Sequence, residues 1–135
     1  MQKYLYFRTV ADEDADDAAA DSATFLLSRL TGMHATATAA ITLFFEPQIP
    51  FLAAAEADQF ANADSVVLNV TEGTAFEVMR DLATAFAGGS GALGAPFLTV
   101  ADDMTTLLDD TTRSAVYLVP NITSCGAIAV TAALA

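Results

Sequence analysis

The chain has 135 residues, 54% of them apolar, and a net charge of −12 from 5 Lys+Arg against 17 Asp+Glu. That apolar content excludes an acidic disordered chain. The shortage of cations excludes a nucleic-acid binder that works through a positive footprint, and the length suits one domain, residues 1–135, around one core.

In chain order, residues 3–10 (KYLYFRTV) read as a strand: aromatic and β-branched residues dominate, with Leu5, Phe7 and Thr9 on one face and Tyr4, Tyr6 and Arg8 on the other. Residues 11–22 (ADEDADDAAADS) hold no large apolar side chain and read as a solvated loop. A short strand is expected at 24–27 and a turn at 30–33 (LTGM). A second strand is expected at 39–46 (AAITLFFE), ended by Pro47. Residues 50–62 are open to two readings, an alanine-rich helix with Pro50 at its first position or a long loop. Residues 65–71 (SVVLNVT) read as a strand by β-branching.

The strongest local signal follows. Thr74 and Glu77 have the spacing of a capping box, in which each end of the pair bonds the other's backbone N–H. Phe76, Met79, Ala83 and Phe86 then recur at helical spacing, which predicts a core-facing stripe on a helix over 74–87, stopped by Gly88 and Gly89. Strands are expected at 95–101, 114–119 and 123–131. Residues 102–112 form a polar excursion, with one helical turn pointing Met104, Leu107 and Leu108 inward. The order β-β-β-α-β-β-β predicts an α+β domain, a mostly antiparallel or mixed sheet with one main helix packed on it.

Alanine supplies about a fifth of the chain and inflates the apolar count. The expected core formers are Phe7, Phe25, Phe44, Phe45, Phe76, Phe86 and Phe97 with neighbouring Val, Ile and Leu. The Asp-heavy, Lys-poor, Ala/Thr-rich composition suits a high-GC genome and a salty medium that screens self-repulsion.

Few motifs carry chemistry. Residues 89–94 spell G-x-G-x-x-G, but a dinucleotide site needs a strand before the glycines and a helix after them, and here the order is inverted. The acids from Asp12 to Asp17 alternate like the opening of a calcium loop. The glycine and glutamate such a loop requires are replaced by Asp17 and Ala23. Asp102, Asp103, Asp109 and Asp110 bracket one short loop and are the candidate ligands for Ca²⁺ or Mg²⁺, set against a solvated charge run. The solvated reading is preferred, so no metal and no cofactor is expected.

His34 and Cys125 are the lone histidine and cysteine. One of each is short of a zinc site, and neither has a paired catalytic partner in the pattern, so an enzyme is not expected. A lone cysteine also excludes an internal disulfide. No stretch reads as a signal peptide or as an unbroken span of about 20 apolar residues, so no membrane partner is expected. Residues 36–45 and 126–135 carry no side-chain charge, the composition of a buried strand or of an interface core between subunits.

Taken together, KYLYFRT, the Asp-rich loop, LTGMHATATAAITLFFEP, VVLNVTEGTAFEVMRDLATAF, FLTVADD and NITSCGAIAVT resemble small virion proteins encoded by marine tailed phages, over most of the chain. The resemblance implies a compact β-rich decoration, or cement, protein. Such a protein binds and stabilises the outer surface of a capsid, with the major capsid protein as partner and self-association as a homotrimer. It carries no functional residues over. The alternatives are another virion component (tail, fibre or connector) and a small acidic ligand- or cation-binding domain using 102–110.

Overall fold

Alternation of burial along two strands shows where the core lies. In β1 (Tyr4–Arg8) Leu5 and Phe7 are fully buried while Tyr4 is exposed. In β5 (Asp64–Val70) Asp64, Val66, Leu68 and Val70 are buried and the residues between them are not. Such a period of two is the mark of a sheet with one face inward. The computed structural model describes residues 3–16, 18, 20–46, 64–87, 97–109 and 111–130.

The other strands are β2 (Ser22–Leu26), β3 (Leu30–Ala37), β4 (Ala40–Phe45), β6 (Phe97–Asp102), β7 (Val116–Tyr117) and β8 (Ile122–Ala129), and the helix is α1 (Ala75–Phe86). The described residues form an α+β fold with one main helix, and their strands divide between two four-stranded sheets. The first sheet has the order β2-β1-β6-β7; β1 and β6 are parallel and its other pairs antiparallel. The second, β3-β4-β5-β8, is antiparallel throughout.

The inner faces of the two sheets meet through three phenylalanines. Phe25 of β2 stacks on Phe45 of β4 at 4.3 Å, and Phe7 of β1 stands edge-on to both at 5.9 and 6.1 Å. These are favoured aromatic geometries. Helix α1 lies against β3 and β4. Its buried Val78, Leu82, Ala85 and Phe86 join the same hydrophobic cluster as both sheets.

Two positive-φ residues mark where the chain turns. Gly73 (φ 81°) follows Glu72 in the turn that closes with Thr74 N–H donating to the Thr71 carbonyl. Asn121 (φ 74°) follows Pro120 where the chain leaves β7 in one sheet for β8 in the other. Pro then Asn is the residue pair that a type II turn favours.

Several expectations are corrected. Residues 30–33 are not a turn; they open β3, an edge strand whose exposed side chains hide the alternation. The uncharged run 36–45 is the end of β3, a turn and β4. Thr74 makes no side-chain cap; its hydroxyl donates to the Thr71 carbonyl at 2.6 Å because the Gly73 turn brings that oxygen within reach. Phe76 is 68% exposed, under the Arg80 guanidinium at 5.7 Å, since the buried side of α1 runs through Val78, Leu82 and Phe86 instead. Phe97 is also exposed, on the outer face of β6. Residues 103–109 hold no helical turn, and of 114–119 only Val116–Tyr117 form a strand. The expectations for 50–62 and 88–94 lie outside the described residues.

Candidate functional site

Two arginines turn the acidic loops from solvated runs into a built structure. Arg8 ends β1 just before the first loop, and its side chain is 5% exposed. Its Nε donates to the Val10 carbonyl (3.0 Å), one terminal nitrogen to the Asp16 carboxylate (2.9 Å) and the other to the Asp12 carbonyl (2.6 Å). Asp16 also accepts the Ser22 hydroxyl. Arg113 does the same for the second loop, donating to the Met104 carbonyl (3.0 Å) and the Asp102 carboxylate (2.6 Å). A guanidinium suits this work because its rigid fork holds several oxygens at once.

The two loops are then joined to each other. Thr105 and Thr106 N–H donate to the Ala11 carbonyl, Glu13 N–H donates to the Thr106 carbonyl, and Leu108 N–H donates to the Glu13 carboxylate. The parallel pairing of β1 with β6 thus continues past both strand ends. The tip of this platform displays Leu108, 69% exposed, at a concavity of about 410 Å³ with Glu13, Leu107 and Asp109. The Thr111 hydroxyl and N–H, both donating to Asp109, hold its carboxyl below the usual carboxylate value.

Asp103 fastens the platform to the second sheet. Its carboxylate accepts the Tyr117 hydroxyl (2.6 Å) and the Cys125 N–H of β8 (3.0 and 3.1 Å). Beside it, the Thr9 hydroxyl donates to the Cys125 carbonyl. Burial and then the Asp103 carboxylate raise the Tyr117 hydroxyl well above its ordinary value. Burial, with the charge of Asp103 second, pushes the Cys125 thiol up to about 12.

The sequence-derived candidates are therefore not one site. Asp102 is paired with Arg113 and accepts Met104 N–H, and Asp103 is committed to the seam. Asp109 is turned to Thr111, and Asp110 lies outside the described residues. Among the described residues no group of three or more His, Cys, Asp or Glu is arranged to hold a metal ion. His34 is exposed on β3 and stacks on Phe44 at 4.9 Å, while Cys125 is buried on β8. These strands are the opposite edges of the second sheet, about 14 Å apart at strand spacing, too far for the two to act together.

The sequence reading missed Arg8, Arg113 and Tyr117 as members of this network. The available signal was position, because two of the five cations stand immediately outside the two acidic runs.

The other distinctive surface is the outer face of the first sheet. In register across it lie Leu26, Tyr4 and Phe97, then Thr24, Tyr6 and Thr99. Tyr4 is 43% and Phe97 52% exposed, and Tyr6 packs on Phe97 at 5.6 Å. A concavity of about 350 Å³ opens there between Tyr4, Thr24, Leu26 and Arg29. Among the described residues no helix is long and apolar enough to cross a membrane. Comparisons with protein-family models, with curated proteins and with solved structures find no match.

Proposed function

We propose that this is a structural, non-enzymatic virion protein that decorates the outer surface of a tailed-phage capsid and stabilises it. Its partners in this reading are the major capsid protein and its own copies in a homotrimer. The observation that carries the proposal is the division of the surface along β1. One end of the first sheet shows an aromatic and aliphatic face, Tyr4, Tyr6, Leu26 and Phe97; the other end carries the acidic loops. An exposed apolar patch rimmed by polar groups is the ordinary form of a protein-binding surface. An acidic platform is poorly matched to DNA inside a shell and well matched to the solvent outside it. The resemblance of the chain to phage decoration proteins points the same way. Cation binding at 102–110 is the weaker reading, since Asp102 and Asp103 already serve Arg113, Tyr117 and the backbone.

The test is the copy number of this chain in purified particles, by quantitative mass spectrometry against the major capsid protein. A ratio near stoichiometric with the capsid subunit supports decoration. A handful of copies per particle moves the chain to the tail, fibre or connector, and absence from particles refutes the proposal.

A further inference from the structure

We infer that two copies of this chain pair through the outer edge of β3, antiparallel about a two-fold axis at His34, and so join their second sheets into one continuous sheet. Among the described residues β3 (Leu30–Ala37) ends that sheet and is exposed from His34 to Ala37. The space beside Gly32 is open as well, since an added Cβ would meet nothing within 4 Å. An edge strand offers its free backbone N–H and C=O groups to any extended chain. Proteins that work alone blunt such edges with charge, proline, bulges, shortness or a cover. β3 is 8 residues long and holds no Asp, Glu, Lys, Arg or Pro. Its register shifts against β4 fall towards its ends, between Leu30 and Gly32 and between Ala35 and Ala37, and leave the middle regular.

The other strand edges are closed to this use. β8 is held along its outer side, where the Cys125 N–H donates to Asp103 and the Cys125 carbonyl accepts the Thr9 hydroxyl. β7 is 2 residues long. β2 begins at Ser22, directly after Asp21 and bonded to Asp16, so pairing it with its own copy would bring two acidic loops together. A second copy is the occupant that suits β3. In a two-fold antiparallel pair the strand faces itself, so a charge near its centre would face its like. A chain at −12 meets its own copy with least repulsion along an edge free of acids, and β3 is such an edge. An axis at His34 keeps the two faces of the sheet continuous. It sets His34 opposite its mate, and Met33 opposite Ala35 of the copy.

This contact joins two copies without a capsid and is separate from the three-fold association proposed above. Its failure is therefore distinct from failure of the particle count. Sedimentation velocity of the purified protein over a concentration series should show a dimer, or a hexamer where the homotrimer also forms. A monomer or a trimer throughout overturns the inference. His34→Glu and His34→Lys each set like charges across the axis. Each should raise the concentration needed for pairing at least about tenfold, with unchanged circular dichroism. An equal mixture of the two should pair again, because a carboxylate then faces an ammonium. Either variant pairing like the parent, or a mixture that stays unpaired, overturns the inference.

Where those variants do not fold, His34→Cys gives a second readout. Opposed Cα atoms of an antiparallel pair lie about 4.5–5.5 Å apart, within reach of a disulfide. The native Cys125 is buried, so mild oxidation should link His34→Cys into a covalent dimer. Leu108→Cys, at a residue 69% exposed on the acidic platform of the first sheet, should stay unlinked. No link at His34→Cys, or equal linking at Leu108→Cys, overturns the inference.

Discussion

Asp103→Ala tests whether one carboxylate holds the two sheets in register. In the parent protein this group accepts from two donors, the Tyr117 hydroxyl at 2.6 Å and the Cys125 N–H at 3.0 and 3.1 Å. A hydrogen bond to a charged acceptor contributes about 1.5–3 kcal/mol, and a buried donor left unpaired costs a similar amount. Asp103 is only half-buried, so water recovers part of the loss at Tyr117, whereas Cys125 is buried. The expected destabilisation is about 2–4 kcal/mol, a large share of the roughly 5–15 kcal/mol that a domain has. Asp103→Asn should cost about half as much, because its one carbonyl oxygen satisfies one donor while its amide faces the other. Urea denaturation followed by far-ultraviolet circular dichroism measures this as a lower midpoint at constant slope. The double variant with Tyr117→Phe should be less destabilised than the sum of the singles by about 1 kcal/mol or more, since both remove one bond. A loss under about 0.5 kcal/mol for Asp103→Ala would refute the reasoning, because surface changes routinely cost that much.

Three further outcomes follow from named contacts. Above pH 9.0, the ordinary thiol value, Cys125 ionises in the unfolded chain but stays protonated in the folded one up to about 12. The unfolded state then binds fewer protons, so stability falls as pH rises, by at most about 1.4 kcal/mol per unit. Cys125→Ala should flatten that slope in denaturation midpoints measured across the window. Gly126→Val should destabilise by about 1–3 kcal/mol, since even a Cβ there meets the Val67 carbonyl oxygen at 3.0 Å and its Cβ at 3.1 Å; a midpoint equal to the parent's would show that β5 yields freely. On α1, Leu82→Ala should cost about 2–5 kcal/mol and Phe76→Ser under about 0.5, by thermal unfolding, and a reversal of that order would place the helix on the wrong face.

The strands were legible where aromatic and β-branched residues cluster, as in β1, β4 and β5, and in β1 the alternation of its two faces could be read as well. They were hidden where neither signal was present: β3 is a sheet edge, exposed from His34 to Ala37, so nothing in its sequence alternates. The helix was legible in extent because Phe76, Met79, Ala83 and Phe86 recur at helical spacing, with Val78 and Leu82 alongside. Its orientation was not, since Phe76 and Val78 both fit an apolar stripe and only packing against β3 and β4 chooses between them. The division into two sheets depends on pairings such as Tyr4 with Phe97, and no local pattern encodes those. The same holds for the loop platform: the acids were obvious, but Asp103 finds Tyr117 and Cys125 only once β6, β7 and β8 are assembled.

The placement of β1 between β2 and β6 has a consequence for how the protein is made. During synthesis the first strand has only its hairpin partner β2, and its other edge waits for β6, most of the chain later. The β3-β4-β5 meander has its pairing partners nearby and can form first, while Leu5 and Phe7 stay without their full cover. Long-range parallel pairing is slow, and a strand edge that waits is open to the wrong neighbour. Expression at high yield should therefore depend on conditions that slow aggregation more than on the stability of the finished fold.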